Sequence, residues 1–295
     1  MEKVLITGAN GFTGGFLSRL MTDSGYEVIG TCYNNISNGF IQLDLSDKEA
    51  VDSTISTVKP DYIIHLAGLS YVAHSDNKSF YDINLFGTMN LLQSISSSSV
   101  SVKKIIIASS ANVYGDVSDG HILDESFPPE PVNHYGMSKL AMEYMSKQYD
   151  SVPIIFTRPM NYTGPGQEDR FLIPKIISHF ANDCTEIELG NIDVYRDFSD
   201  VRDVARYYLG LIESDFKKGV VNICSGQLYS IKDIINLVED ITGKTIEVKV
   251  NQDFIRDNEI KVLAGNPKMI RCITGMSPSY TLKDTLEYMY SSFNV

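Results

Sequence analysis

The chain has 295 residues, 43% hydrophobic and 21% charged, an ordinary globular composition long enough for one or two domains. Lysine and arginine number 25 against 37 acids, a formal net charge of −12, which excludes nucleic acid and anionic membranes as expected partners but still admits an anionic small molecule. Cys32, Cys184, Cys224 and Cys272 form no CxxC pair, no signal-peptide pattern opens the chain and no apolar run approaches a membrane span, so the expectation is a cytoplasmic protein with neither metal site nor disulfides.

In chain order, residues 4–7, 27–31, 40–43, 62–66, 104–108 and 154–157 are short, apolar and β-branched, as strands buried on both faces of a parallel sheet should be. Helical patterns lie between them, notably at 16–24 and 80–98, and Ser94 to Ser101 reads as a solvated, serine-rich linker. This alternation predicts an α/β fold with a Rossmann-type doubly wound parallel sheet. After Arg158 the rhythm changes. Turn residues gather at 161–166, a strand is expected at 220–223, and helices at 231–242 and 282–290. The expected division is a dinucleotide-binding domain of 1–160, to which 201–224 returns, and a smaller mixed α/β lobe of 161–200 and 225–295.

The first strand runs into Gly8-Ala9-Asn10-Gly11-Phe12-Thr13-Gly14. Between a strand and a helix, such a loop lets backbone approach a pyrophosphate, while the helix N-terminus supplies oriented N–H groups. Gly8, Asn10, Gly11, Phe12, Thr13 and Gly14 are therefore candidate cofactor contacts. The second strand ends at Thr31-Cys32-Tyr33-Asn34, with neither the acid that holds a ribose 2′-hydroxyl nor an arginine for a 2′-phosphate. NADPH is accordingly favoured over NADH, with Thr31 and Asn34 nearby. Asp44 and Leu45 follow the third strand. Asp44 is expected to face the adenine, or merely to support a turn in which Ser46 and Glu49 form a capping box. Leu66, Ala67 and Gly68 close the fourth strand and leave room for ribose and phosphate. His65 reads as a packed core histidine.

Tyr135 and Lys139 stand four apart at the start of a helical pattern, on one face. A tyrosine ionises near pH 10, about three units too high for a base at neutrality, so a neighbouring ammonium, together with the positive nicotinamide of an oxidised cofactor, is expected to lower it. Ser110 lies at the end of the fifth strand, at the carboxyl edge where ligands bind. Phosphate loop, edge serine and YxxxK thus occur in a mutually consistent order.

These pieces, with TGANGFTGG (7–15), HLAGLS (65–70), NLFGTMNLL (84–92), SSANVYG (109–115), YGMSK (135–139), RPMNYTGPGQ (158–167) and RDFSDVRDVA (196–205), resemble the extended short-chain dehydrogenase/reductases that modify nucleotide sugars. The resemblance spans essentially the whole chain, and the 161–167 and 196–203 segments are most similar to the GDP-mannose branch. It implies Ser110, Tyr135 and Lys139 as the catalytic set, with Lys139 also on the nicotinamide ribose. It further implies Asn161 at a diphosphate, Arg196 and Arg256 at the nucleotide, and Ser70, Asn112 and Asn133 near the sugar. His134 and Tyr33 depart from the family pattern, which bears on the assignment of base and cofactor.

Dehydratases of this kind carry an acid just after the edge serine or threonine; here stands Ala111-Asn112, which disfavours water elimination. The expected activity is therefore NAD(P)H-dependent reduction of the 4-keto group of a GDP- or dTDP-linked 4-keto-6-deoxyhexose, in deoxysugar biosynthesis for surface polysaccharide. A 4-epimerase with tightly bound NAD and a non-catalytic NADP sensor are the alternatives. The helical stretches 80–98 and 135–148 are rich in apolar residues, and the resemblance implies that they pair with their copies in a homodimer.

Overall fold

Strands that alternate their apolar side chains between two faces need helices on both, and the first half of the chain supplies them in turn. The computed structural model describes residues 1–34, 39–72, 76–116, 122–255 and 260–293. It opens with β1 (Lys3–Thr7), α1 (Phe12–Asp23), β2 (Glu27–Cys32), β3 (Ile41–Gln42), α2 (Lys48–Val58) and β4 (Tyr62–His65). There follow α3 (Asn77–Phe80), a π-helical segment (Tyr81–Gly87), α4 (Thr88–Ser97), β5 (Lys104–Ala108), a 3-10 turn (Ala111–Tyr114), α5 (His134–Ser146) and β6 (Ile154–Pro159). The second half comprises β7 (Asn161–Thr163), α6 (Leu172–Ala181), β8 (Glu186–Leu189), β9 (Tyr195–Asp200), α7 (Val201–Glu213), β10 (Gly219–Ile223) and β11 (Leu228–Ser230). It ends with α8 (Ile231–Thr242), β12 (Glu247–Val250), β13 (Val262–Leu263), α9 (Lys268–Thr274) and α10 (Leu282–Phe293).

Seven parallel strands run in the order β10-β6-β5-β4-β1-β2-β3. The chain leaves β1 in opposite directions, toward β2 and toward β4, so the β1/β4 boundary is the switch point where a doubly wound sheet opens a crevice. Val4, Ile6, Ile64 and Ile106 pack against α1, α7 and α9. Leu5, Ile63, Ile105 and Ile107 pack against α2, α4 and α5. One-residue alternation along each strand thus builds both layers.

The remaining strands form a smaller assembly in which β7, β11 and β13 flank β9, beside a β12-β8 pair. The apolar faces of α6, α8 and α10 close over it through Ile176, Phe180, Ile234, Val238 and Leu286. Among the described residues no helix is long and apolar enough to cross a membrane, no group of three metal-ligating side chains converges, and the four cysteines are free.

Three local expectations are corrected. The cap of α2 is Asp47, whose carboxylate accepts the Ala50 N–H, and not Ser46. Ser94 is not in a solvated linker: it is buried inside α4, where it binds Lys48 and Asp52. The single helix expected over 80–98 is interrupted by the π-helical turn, which carries the buried polar residue Asn84. Such a turn is tolerated where side chains satisfy the altered ladder, and the Thr88 hydroxyl donates to the Asn84 carbonyl at 2.7 Å.

Candidate active site

The crevice begins at the phosphate loop. Gly8 has φ +71°, and a Cβ there would lie 2.9 Å from the Ala67 nitrogen; a Cβ on Gly14 would lie 2.4 Å from the Gly8 carbonyl oxygen. Only glycine allows this approach. Gly11 caps α1 without any side-chain hydrogen bond, and no acid occupies the first turn. The first-turn N–H groups therefore face the crevice with no internal acceptor, as a pyrophosphate requires. Asn10 Nδ2 donates to the Asn34 carbonyl at 2.9 Å, tying the loop to the end of β2. Phe12 stacks on Tyr162 and Thr13 Oγ1 bonds the Tyr162 hydroxyl at 2.8 Å. These features fit a dinucleotide.

The other sites expected around that cofactor are less direct. Thr31 is buried and its carbonyl accepts the Ala9 N–H. Asp44 Oδ1 accepts both the N–H and the hydroxyl of Ser46, at 2.8 and 2.7 Å, so this carboxylate does support a turn. Leu45 is buried against Gly87. Leu66 and Gly68 line the crevice. His65 is held between Thr7 and Thr88 at 2.7 and 2.9 Å, and burial together with the Lys139 charge drives its pKa down to about 3. It stays neutral.

Ser110, Tyr135 and Lys139 all line this one cleft of about 620 Å³ and are 5, 7 and 6% exposed. Ser110 sits at the carboxyl end of β5 and caps the 3-10 turn; Tyr135 and Lys139 project from the first turns of α5. Asn133 caps α5 through its Oδ1, 2.8 Å from the Gly136 nitrogen, so its carbonyl is engaged in the helix cap rather than free for a sugar. Lys139 Nζ donates to the Ala108 carbonyl at 2.8 Å.

In the protein alone the phenol of Tyr135 shifts upward. Burial pushes its phenol up to about 12, against a smaller lowering by a Ser110 hydrogen bond. Burial likewise lowers Lys139 to about 8, opposed by Glu143 one helical turn on. Desolvation outweighs mutual attraction because Lys139 is directed at a backbone carbonyl. Without a bound cation, Tyr135 is a proton-loaded phenol.

Ser70, Asn161 and Arg196 also line the cleft, as does Asn112, whose Nδ2 donates to Ser110 Oγ at 3.2 Å. Asn161 Nδ2 is buried without a hydrogen-bond partner in the protein, an orphaned donor on a residue that lines the cleft. Arg196 donates to the Tyr195 and Lys261 carbonyls at 2.9 and 3.1 Å. Arg256 lies outside the described residues.

Several lining or supporting residues were not among those expected at the site. Tyr71 and Phe171 meet edge to face at 5.9 Å, with the Arg170 guanidinium 4.9 Å from the Tyr71 ring. Asn84 binds the Leu69 N–H and C=O at 2.9 and 3.1 Å and Ser138 at 3.1 Å, locking the loop after β4 to the helix of Tyr135. Its signal was a polar residue inside an apolar helical run. Glu143 and Arg158 form a buried pair at 2.6 and 3.0 Å, and Ser109 donates to the same carboxylate.

Residues 5–289 match the family model described as GDP-mannose 4,6 dehydratase. A GDP-6-deoxy-D-talose 4-dehydrogenase of Aggregatibacter actinomycetemcomitans is 36% identical over 98% of this chain and 97% of its own. A GDP-6-deoxy-D-mannose reductase of Pseudomonas aeruginosa is 36% identical over 79% and 80%. Among solved structures, a putative epimerase from Burkholderia cenocepacia superposes with a TM-score of 0.92 at 37% identity, covering 99% of this chain and 98% of that one. The P. aeruginosa RMD complexed with NADPH superposes at 0.88 and 31% identity, covering 99% of each.

Proposed function

The chain belongs to the GDP-mannose 4,6-dehydratase family of extended short-chain dehydrogenase/reductases, and on that premise we propose that it is a reductase of the 4-keto group of a GDP-linked 4-keto-6-deoxyhexose. One observation carries the choice within the family. The cleft brings Ser110, Tyr135 and Lys139 together, and among its described lining residues the sole carboxylate is Glu168, exposed and ion-paired with Arg170. Dehydration needs an acid and a base at the sugar's C5 and C6; ketone reduction needs only a proton donor at the C4 oxygen. Both curated relatives bear names of oxidoreductases acting on a GDP-6-deoxyhexose, which supports guanosine as the base.

A bound NAD(P)H supplies the hydride. Tyr135, loaded at about 12, hands its phenolic proton to the carbonyl oxygen, and Ser110 donates a hydrogen bond to the same oxygen. Lys139 holds the nicotinamide ribose, and its ammonium favours the phenolate that remains. Asn161 and Arg196 take the diphosphate and the nucleotide. NADPH is the preferred reductant, supported by the lack of an acid at Tyr33-Asn34 and by the NADPH in the P. aeruginosa relative. The setting is the cytoplasm and the pathway a deoxysugar branch feeding surface polysaccharide. The protein works as a homodimer, supported by an exposed apolar face of Ile83, Phe86, Met137, Tyr144 and Met145 on the π-helical segment and α5.

The test is absorbance at 340 nm with freshly generated GDP-4-keto-6-deoxy-D-mannose and each reduced cofactor, followed by NMR of the C4 configuration. Reduction predicts loss of NADPH with a GDP-6-deoxyhexose product. An epimerase would interconvert sugars with no net change in cofactor, and a sensor would bind NADPH without consuming it; either result rejects the proposal, as would full turnover by Tyr135→Phe.

A further inference from the structure

We propose that Asn112 is a positioning residue that fixes the Ser110 hydroxyl as a hydrogen-bond donor, matching the site to a ketone oxygen; the inference rests on the reductase function above. The Ser110 Oγ receives two N–H donors, the Asn112 backbone amide at 3.1 Å and the Asn112 side-chain Nδ2 at 3.2 Å. A serine hydroxyl has two acceptor positions and one proton. With both acceptor positions filled, only the O–H is left to point outward, and Ser110 faces the cleft beside Tyr135.

The turn bearing Asn112 has little freedom. A Cβ on Gly136 would stand 2.5 Å from the Asn112 carbonyl oxygen, so the glycine after Tyr135 lets the 3-10 turn press against the start of α5. Serine rotor, amide and phenol are thus set in one rigid unit.

This polarity suits one substrate state. A ketone oxygen only accepts, so it takes bonds from both Ser110 and Tyr135. During reduction the hydride forms a C–H bond, the carbonyl π pair moves to oxygen, and oxygen takes the Tyr135 proton; Ser110 keeps its own proton throughout. A carboxylate at position 112 would accept the Ser110 proton and turn the hydroxyl away from the ketone.

Asn112→Asp is expected to lower kcat for GDP-4-keto-6-deoxy-D-mannose about 10²-fold with KM nearly unchanged, the size of losing one donor to a developing oxyanion. Placed on Ser110→Ala, the same change should add less than about twofold, because groups acting as a unit are not additive. A loss under about threefold in the parent, or an equal loss in both backgrounds, overturns the proposal.

A second measurement needs no turnover. In Ser110→Cys, Asn112→Ala removes a donor to sulfur and should raise the thiol pKa, read from the pH dependence of iodoacetamide alkylation after subtracting the parent chain's reaction. An unchanged or lowered pKa means that the amide oxygen, not Nδ2, faced residue 110, and it overturns the proposal. If the parent consumes no NADPH with any keto sugar, the reductase function fails while this thiol titration still decides the donor geometry.

Discussion

Raising the pH under conditions that measure kcat/KM for NADPH perturbs Lys139 before Tyr135. Burial brings the Lys139 ammonium from 10.5 down to about 8, which at about 1.4 kcal/mol per unit disfavours it in the free cleft by roughly 3 kcal/mol. Tyr135 moves the other way, to about 12. A reductase needs the tyrosine protonated and the lysine charged. Both hold below pH 8, and the lysine fails first.

The expected profile is flat on the acid side and falls about tenfold per pH unit above a break near 8, since kcat/KM reports groups of the free enzyme. In kcat the break should lie higher, because ribose hydroxyls accepting from Nζ favour the charged form. Lys139→Arg, whose guanidinium stays charged, should remove the break from the accessible range while lowering the rate. The stability effect has a definite sign. Folding depresses this lysine, so below about 8 both states are protonated and the full penalty is present, and stability rises between about 8 and 10.5 as the unfolded chain retains the proton that the folded one has lost. Activity that climbs with pH through this range would refute the reasoning, as it would mean that a deprotonated lysine or tyrosine is the active form.

Gly14→Ala should weaken NADPH binding more than about tenfold by fluorescence titration, because its Cβ would meet the Gly8 carbonyl at 2.4 Å, whereas Gly15→Ala, with nothing within 4 Å, should bind normally and melt no lower. Glu143→Ala should cost about 3–5 kcal/mol in urea denaturation by leaving the Arg158 guanidinium buried without its carboxylate. Phe86→Asp, on a ring that is 58% exposed, should give monomers in light scattering without unfolding the chain if the apolar face joins two copies.

The sheet was legible because buried parallel strands write themselves as apolar runs: residues 104–108 and 154–157 coincide with β5 and most of β6. The phosphate loop and YxxxK were equally plain, since each is contiguous. What escaped detection is built from distant partners. Nothing local announces that Asn84 will grip Leu69, or that Glu143 will meet Arg158. β9 was invisible as a strand because four of the six residues of Tyr195–Asp200 are polar, and its Asp197 meets the Ser225 and Gly226 donors once the chain has folded. The balance of forces on the tyrosine was hidden for a related reason. Spacing puts Lys139 on the same helix face, but only coordinates reveal that its ammonium points at Ala108 and that burial outweighs the pair.

That balance bears on the chemistry. A tyrosine lowered toward neutrality would be ready to withdraw a proton from an alcohol, the first act of an oxidation or an epimerisation. Beside the neutral nicotinamide of a reduced cofactor, a buried phenol pushed up to about 12 would hold its proton until charge develops on an adjacent oxygen, as reduction of a ketone demands. The Ser110 hydroxyl, loaded with two N–H donors, is biased the same way. Ser110 and Tyr135 line the same cleft, and among its described lining residues the sole carboxylate is Glu168, which is ion-paired with Arg170. In a family whose model bears the name of a dehydratase, that alignment of donors selects the reductive half of the shared chemistry.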